Sequence, residues 1–327
     1  GANILTRNLI IFGQGAIRCH PHALDEITAL ENNDIAGFDK AFWKHVGHVL
    51  SNKLRMILFE LTRGYMVIPP KWGPTSRYYQ KMSWASAKFA FYTDVALLLL
   101  GGGLKIRERL TARFGDVLSW MYLGISVLRR FEADGNLKED EPFLHWSMQY
   151  CFCQIQEAFE GIFANMGPLF FLSKLTTIIN PIGLAPSDKS AAKMVKCMQV
   201  PSPQRDRLTA DIYTSTDPTE AVGRLEYVFQ KAHVLKPVYL KLRKAVKKRT
   251  VKKSTMNNMI REGLEKNVLS QEECDQMLEL ETLRDDIIQV DEFSREDYLK
   301  RNTHSQTFTE NFVSNMEKDL SKKELDS

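Results

Sequence analysis

The stretch from Tyr78 to Phe131 constrains this chain more than any other. Apolar residues such as Phe89, Phe91, Val95, Leu104, Leu110, Phe114, Met121 and Val127 recur there at helical spacing and leave almost no polar face. A helix that is apolar on nearly every side has to be enclosed by other helices, so the segment predicts the central members of a bundle. Gly101, Gly102 and Gly103 interrupt it. They either break the helix, each at a cost of roughly 1 kcal/mol relative to Ala, or let a neighbouring backbone approach closely.

The rest of the chain extends the same pattern. Apolar residues at Ile4, Leu5, Leu9, Ile10 and Phe12 give the start a short amphipathic helix, ended by a glycine break at Gly13 and Gly15. From Ala23 to Gly64 the periodicity predicts two helices joined near Asn32–Asp34, and Pro69, Pro70, Gly73 and Pro74 then force an extended connection. Pro142 opens a further helix through Trp146, Tyr150 and Phe159. Gly161–Pro186 is apolar apart from Lys174, as expected of a buried hairpin or of one that meets an interface or a second subunit. Ser187 is placed to cap a short helix that Pro201 and Pro203 end.

The last third is more polar. Asp217-Pro218-Thr219-Glu220 has the form of a helix start, and Ser270 with Glu273 forms a capping box. Beyond Asp291, Phe308, Phe312, Met316 and Leu320 keep a four-residue spacing, which reads as a docking helix or a frayed end. Neither a repeat nor an alternating strand pattern is visible. The expected fold class is all-α: a multi-helix bundle with an additional smaller helical C-terminal region.

Charge matters here through its distribution. The formal total is 44 minus 40, or +4, too small to argue for nucleic acid by itself. Five scattered cysteines do not form a disulfide framework and point to a reducing compartment, and no uncharged run reaches the length of a membrane span. Lys236, Lys241, Arg243, Lys244, Lys247, Lys248, Arg249, Lys252 and Lys253 follow one another without an acid between them, and an acid-rich region, Glu262 to Asp297, comes next. Oppositely charged helices lying together explain this. The alternative is an anionic surface, with lipid ahead of nucleic acid because Val238, Leu240, Leu242 and Val246 are interleaved.

Candidate chemistry is sparse. Gly13-Gln14-Gly15-Ala16-Ile17-Arg18 has the outline of a dinucleotide loop but lacks its third glycine. Cys19, His20 and His22 have no second Cys/His cluster at zinc spacing, and His45 and His48 read as an ordinary pair on one helix face, so no metal ligands are expected. A nucleophile elbow and a phosphate-binding loop are both missing. No complete active site is visible in the chain.

The order of residues at the start nevertheless resembles a known family. Gly1, Asn3, Leu5 and Arg7 resemble the segment that follows the active-site glutamate in acyl-CoA dehydrogenases, Glu-Gly-Thr-Asn-Glu-Ile-Gln-Arg, with Ala2, Ile4 and Thr6 departing from it. The continuation Leu9-Ile-Ile-Phe-Gly-Gln-Gly-Ala-Ile-Arg-Cys-His-Pro21 resembles the large bacterial FadE-type enzymes, as do Gly101-Gly-Gly-Leu-Lys-Ile-Arg-Glu-Arg109, Leu184-Ala-Pro-Ser-Asp-Lys189 and Met198-Gln-Val-Pro201.

That resemblance implies residues 1–65 as the end of the family's helical domain with connecting helices, 66–200 as a central apolar bundle, and 201–327 as a charged helical C-terminal region. It implies an enzyme that uses FAD to oxidise an acyl-CoA in fatty-acid β-oxidation, with the catalytic glutamate immediately before Gly1 and with Gly1 and Asn3 near the flavin. The isolated chain is then expected to be inactive. A homodimer, a β-oxidation partner protein or a membrane surface met by Lys241, Arg243, Lys244, Lys247, Lys248, Arg249, Lys252 and Lys253 is compatible with it; nucleic acid is not expected. The implied location is the bacterial cytoplasm, peripheral to the inner membrane. The competing reading is a non-catalytic helical module for membrane or protein docking.

Overall fold

A computed structural model of the chain describes residues 5–104, 106–167, 170–215, 217, 220–289 and 294–295. Every regular element among them is helical. The chain divides into two compact units, Gly1–Leu208 and Thr209–Ser327.

The first unit opens with a π-helical segment, Thr6–Gln14, that runs directly into helix α1, Gly15–Cys19. The glycines therefore widen the helix instead of ending it: the Gly15 amide still bonds back to the Ile10 carbonyl. Helices α2 (Ala23–Glu31), α3 (Ile35–Thr62), α4 (Ser76–Leu100), α5 (Glu108–Ala133) and α6 (Glu141–Asn165) follow. Asp34 starts α3 by accepting from the Gly37 amide, and α6 carries Pro142 in its first turn. At Gly101 the backbone turns to φ 46°, and a Cβ on any of the three glycines would meet nothing within 4 Å. Those glycines break the helix; they do not admit a neighbour.

Helices α5 and α6 pack along their length, and Trp84, Phe114, Leu128, Met148, Phe152 and Phe159 close the core around them. The π-helical segment lies on α5, where Phe12 stacks on Phe114 at 4.6 Å and 5°. Gly115 makes that approach possible, since a Cβ there would sit 2.9 Å from the Arg7 carbonyl oxygen. Among the described residues α4 is the one helix long and apolar enough to cross a membrane, yet Gln80, Lys88 and Asp94 along it are buried in the bundle.

Helices α7 (Phe171–Ile179), α8 (Asp188–Met198) and α9 (Pro203–Thr209) complete this part, with Ser187 capping α8 through the Ser190 amide. The 161–186 stretch is not a wholly buried hairpin. Phe170, Thr177 and Ile182 are inside, whereas Phe171, Leu172, Ile178 and Ile179 are exposed. A buried polar network fixes it. Lys88 Nζ donates to Glu60 Oε1 at 3.2 Å and to Thr177 Oγ1 at 2.8 Å, Trp84 Nε1 donates to Glu60 Oε2 at 2.8 Å, and Asn180 Nδ2 donates to the Glu60 carbonyl at 2.7 Å. Burial pushes Lys88 below the usual lysine value, and Glu60 opposes that push.

The second unit holds α10 (Ala221–Val234), α11 (Lys236–Lys247), α12 (Met256–Glu265) and α13 (Gln271–Ile287) around Val228, Leu242, Ile260, Leu269 and Met277. The Ser270–Glu273 capping box forms in full. Helix α10, in contrast, starts from Glu220 and not from Asp217, whose carbonyl instead lies against Gly223.

Candidate functional site

The turn at His20 and three helices of the first unit converge on a half-buried group of histidines and acids. After α1 ends, His20 is extended (φ −68°, ψ 132°) because Pro21 disfavours helical backbone in the residue before it. The turn carries the His20 ring over the start of α2, where Nδ1 accepts from the amides of His22 at 3.2 Å and Ala23 at 2.9 Å. These are amides that a helix start leaves without internal partners. A nitrogen accepting two N–H bonds carries no proton, so the ring's proton is on Nε2, which donates to Asp94 Oδ1 at 2.9 Å.

Asp94 belongs to α4. Its second oxygen, Oδ2, is buried without a hydrogen-bond partner, and so is the hydroxyl of the adjacent Thr93. Helix α3 contributes His45 and His48. His45 Nδ1 bonds to Glu26 Oε1 at 2.8 Å, which leaves the lone pair of its other nitrogen free. Arg55 engages Asn52 Oδ1 at 2.7 Å, so Asn52 turns its amide nitrogen to His48 Nε2 at 2.8 Å. Burial pushes His48 below the ordinary imidazole value; Asp94 opposes this, and His20, His22 and His45 add to it.

The rings of His20, His22, His45 and His48 gather with centroid separations of 4.5 to 6.2 Å. One nitrogen each of His20 and His45 and one oxygen of Asp94 lie within 4.8 Å of one another. A cavity of about 270 Å³ opens beside them, apolar at Phe12, Phe89 and Leu118 and polar at His20, His48 and Asp94. Sequence spacing treats the two histidine pairs as unrelated; folding brings them together. Asp94 gave no local signal at all, lying 74 residues from His20 inside an apolar helix.

The other sequence candidates fall elsewhere. Gly13 and Gly15 sit in continuous helix, so their amides are not presented as a phosphate cradle. Gly1 and Asn3 lie outside the described residues. In the basic run, Lys241 pairs with Glu273 at 2.7 Å and Arg243 donates to the Tyr239 hydroxyl at 3.0 Å. Lys244, Lys247, Lys248, Arg249, Lys252 and Lys253 are exposed, without an ion pair among the described residues. Arg224 pairs with Asp286 at 2.9 Å and Lys231 with Glu279, so the acid-rich helix α13 faces several of the unit's cations. Lys244 and Lys248 border a groove with Leu240 and Val268.

Fold and sites together define an all-α chain in which a bundle of long helices is joined to a separate, charge-patterned helical unit. Residues 17–293 match the family described as acyl-CoA dehydrogenase, C-terminal, bacterial type, and the chain belongs to that family. No solved structure matches it.

Proposed function

We propose that this chain is the C-terminal region of an FAD-dependent acyl-CoA dehydrogenase that converts acyl-CoA to trans-2-enoyl-CoA in fatty-acid β-oxidation, and that it is accessory to the chemistry. The family match across residues 17–293 carries this reading. Bound FAD supplies the electron sink for such an oxidation. The described residues do not fit the flavin: Gly13–Gly15, the stretch with the outline of a dinucleotide loop, lies in continuous helix and presents no amides to a pyrophosphate. No flavin step is assigned to these residues, and the base is the glutamate expected immediately before Gly1.

Two preparations test the reading. The 327-residue chain is expected to purify without a flavin absorbance band and to show no palmitoyl-CoA-dependent dye reduction. The same chain joined to a complete upstream flavin-binding region is expected to show both. Turnover by the 327-residue chain alone, or inactivity of the joined protein with bound flavin, would overturn the proposal.

A further inference from the structure

One atom in the histidine and acid cluster is not accounted for by packing. Asp94 is 5% exposed, yet its Oδ2 has no hydrogen-bond partner among the described residues, and its Oδ1 accepts from the His20 ring. An unmatched buried carboxylate oxygen is costly, and buried charges are characteristically paired or coordinate a metal. The neighbours determine which cation. His45 offers a free lone pair while Glu26 holds its Nδ1, the arrangement in which a carboxylate orients an imidazole that ligates a metal. Imidazole nitrogen with carboxylate oxygen suits ions of the zinc class, such as Zn²⁺, Co²⁺ and Ni²⁺, better than Mg²⁺ or Ca²⁺.

We infer that this cluster binds a divalent transition-metal ion, with His45 and Asp94 as ligands. His20 is a positioning residue: its Nδ1 is committed to the start of α2, and its Nε2–H holds Asp94 Oδ1, which leaves Oδ2 for the ion. The remaining positions fall to solvent from the cavity and to the adjacent His22 ring, whose centroid lies 6.2 Å from that of His45. Binding ties α3 to α4 and, through His20, secures the N-terminal segment against them. The ligands His45 and Asp94 and the residues that orient them, Glu26 and His20, thus come from four separate stretches of sequence, independently of any dehydrogenase activity.

The test uses the full chain, stripped of metal with a chelator and titrated with Co²⁺ while ligand-field bands are followed, with thermal unfolding in Zn²⁺ measured in parallel. Wild-type chain is expected to develop saturable bands of an imidazole and carboxylate site and to gain several degrees in Tm. His45→Ala and Asp94→Asn are expected to lose both responses. His20→Gln is expected to keep the bands but bind roughly 10- to 100-fold more weakly, the usual cost of removing a positioning partner. His233→Gln, in the second unit, should change nothing. Asp94→Asn removes the buried charge but keeps the side-chain shape, so its metal-free Tm shows whether the variant folds. Absence of bands and Tm gain in wild-type chain overturns the proposal, and so does a wild-type response in His45→Ala or Asp94→Asn.

Discussion

Helix α4 carries two buried polar clusters that are completed to different degrees. At Lys88 the charge is answered by Glu60, the remaining Glu60 oxygen by Trp84, and the Thr177 carbonyl by Gln156. At Asp94 one oxygen is answered by His20 and the other by nothing among the described residues. In the first cluster both charges are answered, and the network locks α7 and the following turn onto the bundle with the neutral Asn180 Oδ1 left unpartnered among the described residues. The second has an open valence. Burial alone therefore does not separate a structural cluster from a ligand site; whether the unmatched atom belongs to a charged group, as at Asp94, or to a neutral one, as at Asn180, does.

The largest predicted effect tests the closed cluster. Glu60→Gln removes the countercharge of Lys88, which is 1% exposed, and turns an amide N–H towards one of the donors Glu60 now accepts from. Breaking a buried pair from one side costs about 3–5 kcal/mol, so the urea midpoint should fall sharply and α7 amides should exchange faster. A loss below about 1 kcal/mol would mean that hydrophobic packing, and not this network, holds α7 in place.

Buried groups that stay neutral fall between the two clusters. Burial raises the Tyr78 hydroxyl to about 12 and the Cys151 thiol to about 11, from ordinary values of 10.0 and 9.0. The fold favours the protonated form of each, so their contribution is fully present below pH 9 and is lost as pH rises through about 11 and 12. Tm should decline across that alkaline window. Tyr78→Phe, which gives up the 2.7 Å bond to His145 Nδ1, should flatten the upper part of the decline. An equally steep decline in that variant would assign the effect to other groups.

How much of this was legible in the sequence depends on how local each cause is. Ser187, Pro142 and the Ser270–Glu273 box act within one helical turn, and each formed where its spacing placed it. The all-α class followed from apolar periodicity over dozens of residues, and the family from residue order at the start. The π-winding of 6–14 was hidden, because a widened helix keeps the same apolar residues as an ordinary one. The exposed side of α7 was hidden as well, since composition cannot say which side of an apolar helix finds a partner. Lys88 and Glu60 lie 28 residues apart, and the histidine cluster draws on α2, α3, α4 and the turn at His20, so neither polar cluster has a signature in any short window.

A smaller effect checks that the second unit behaves locally. Ser270→Ala removes the side-chain acceptor for the Glu273 amide at 3.1 Å, and losing such a cap costs about 1 kcal/mol. Amide exchange should quicken in the first turn of α13 and leave α4 to α6 unchanged. Faster exchange throughout the first unit would mean that the two compact units do not respond separately.

The smallest effect is the most informative for the comparison. Asp94→Asn is the same chemical change as Glu60→Gln, acid to amide at nearly constant shape, made in the open cluster instead of the closed one. In metal-free chain the amide oxygen can still accept from His20 Nε2, now at 2.9 Å from Oδ1, while the new N–H₂ takes the place of an oxygen that had no donor. Thr93, whose hydroxyl has no partner among the described residues, lines the same cavity as Asp94 and can accept from that group. The substitution trades an unmatched buried charge for a neutral group, so stability should stay within about 1 kcal/mol of wild type or rise. Urea unfolding of both variants in chelator measures the contrast directly. If Asp94→Asn costs as much as Glu60→Gln, the Asp94 carboxylate is already fully satisfied in the metal-free fold, and the distinction between a closed and an open cluster on α4 fails.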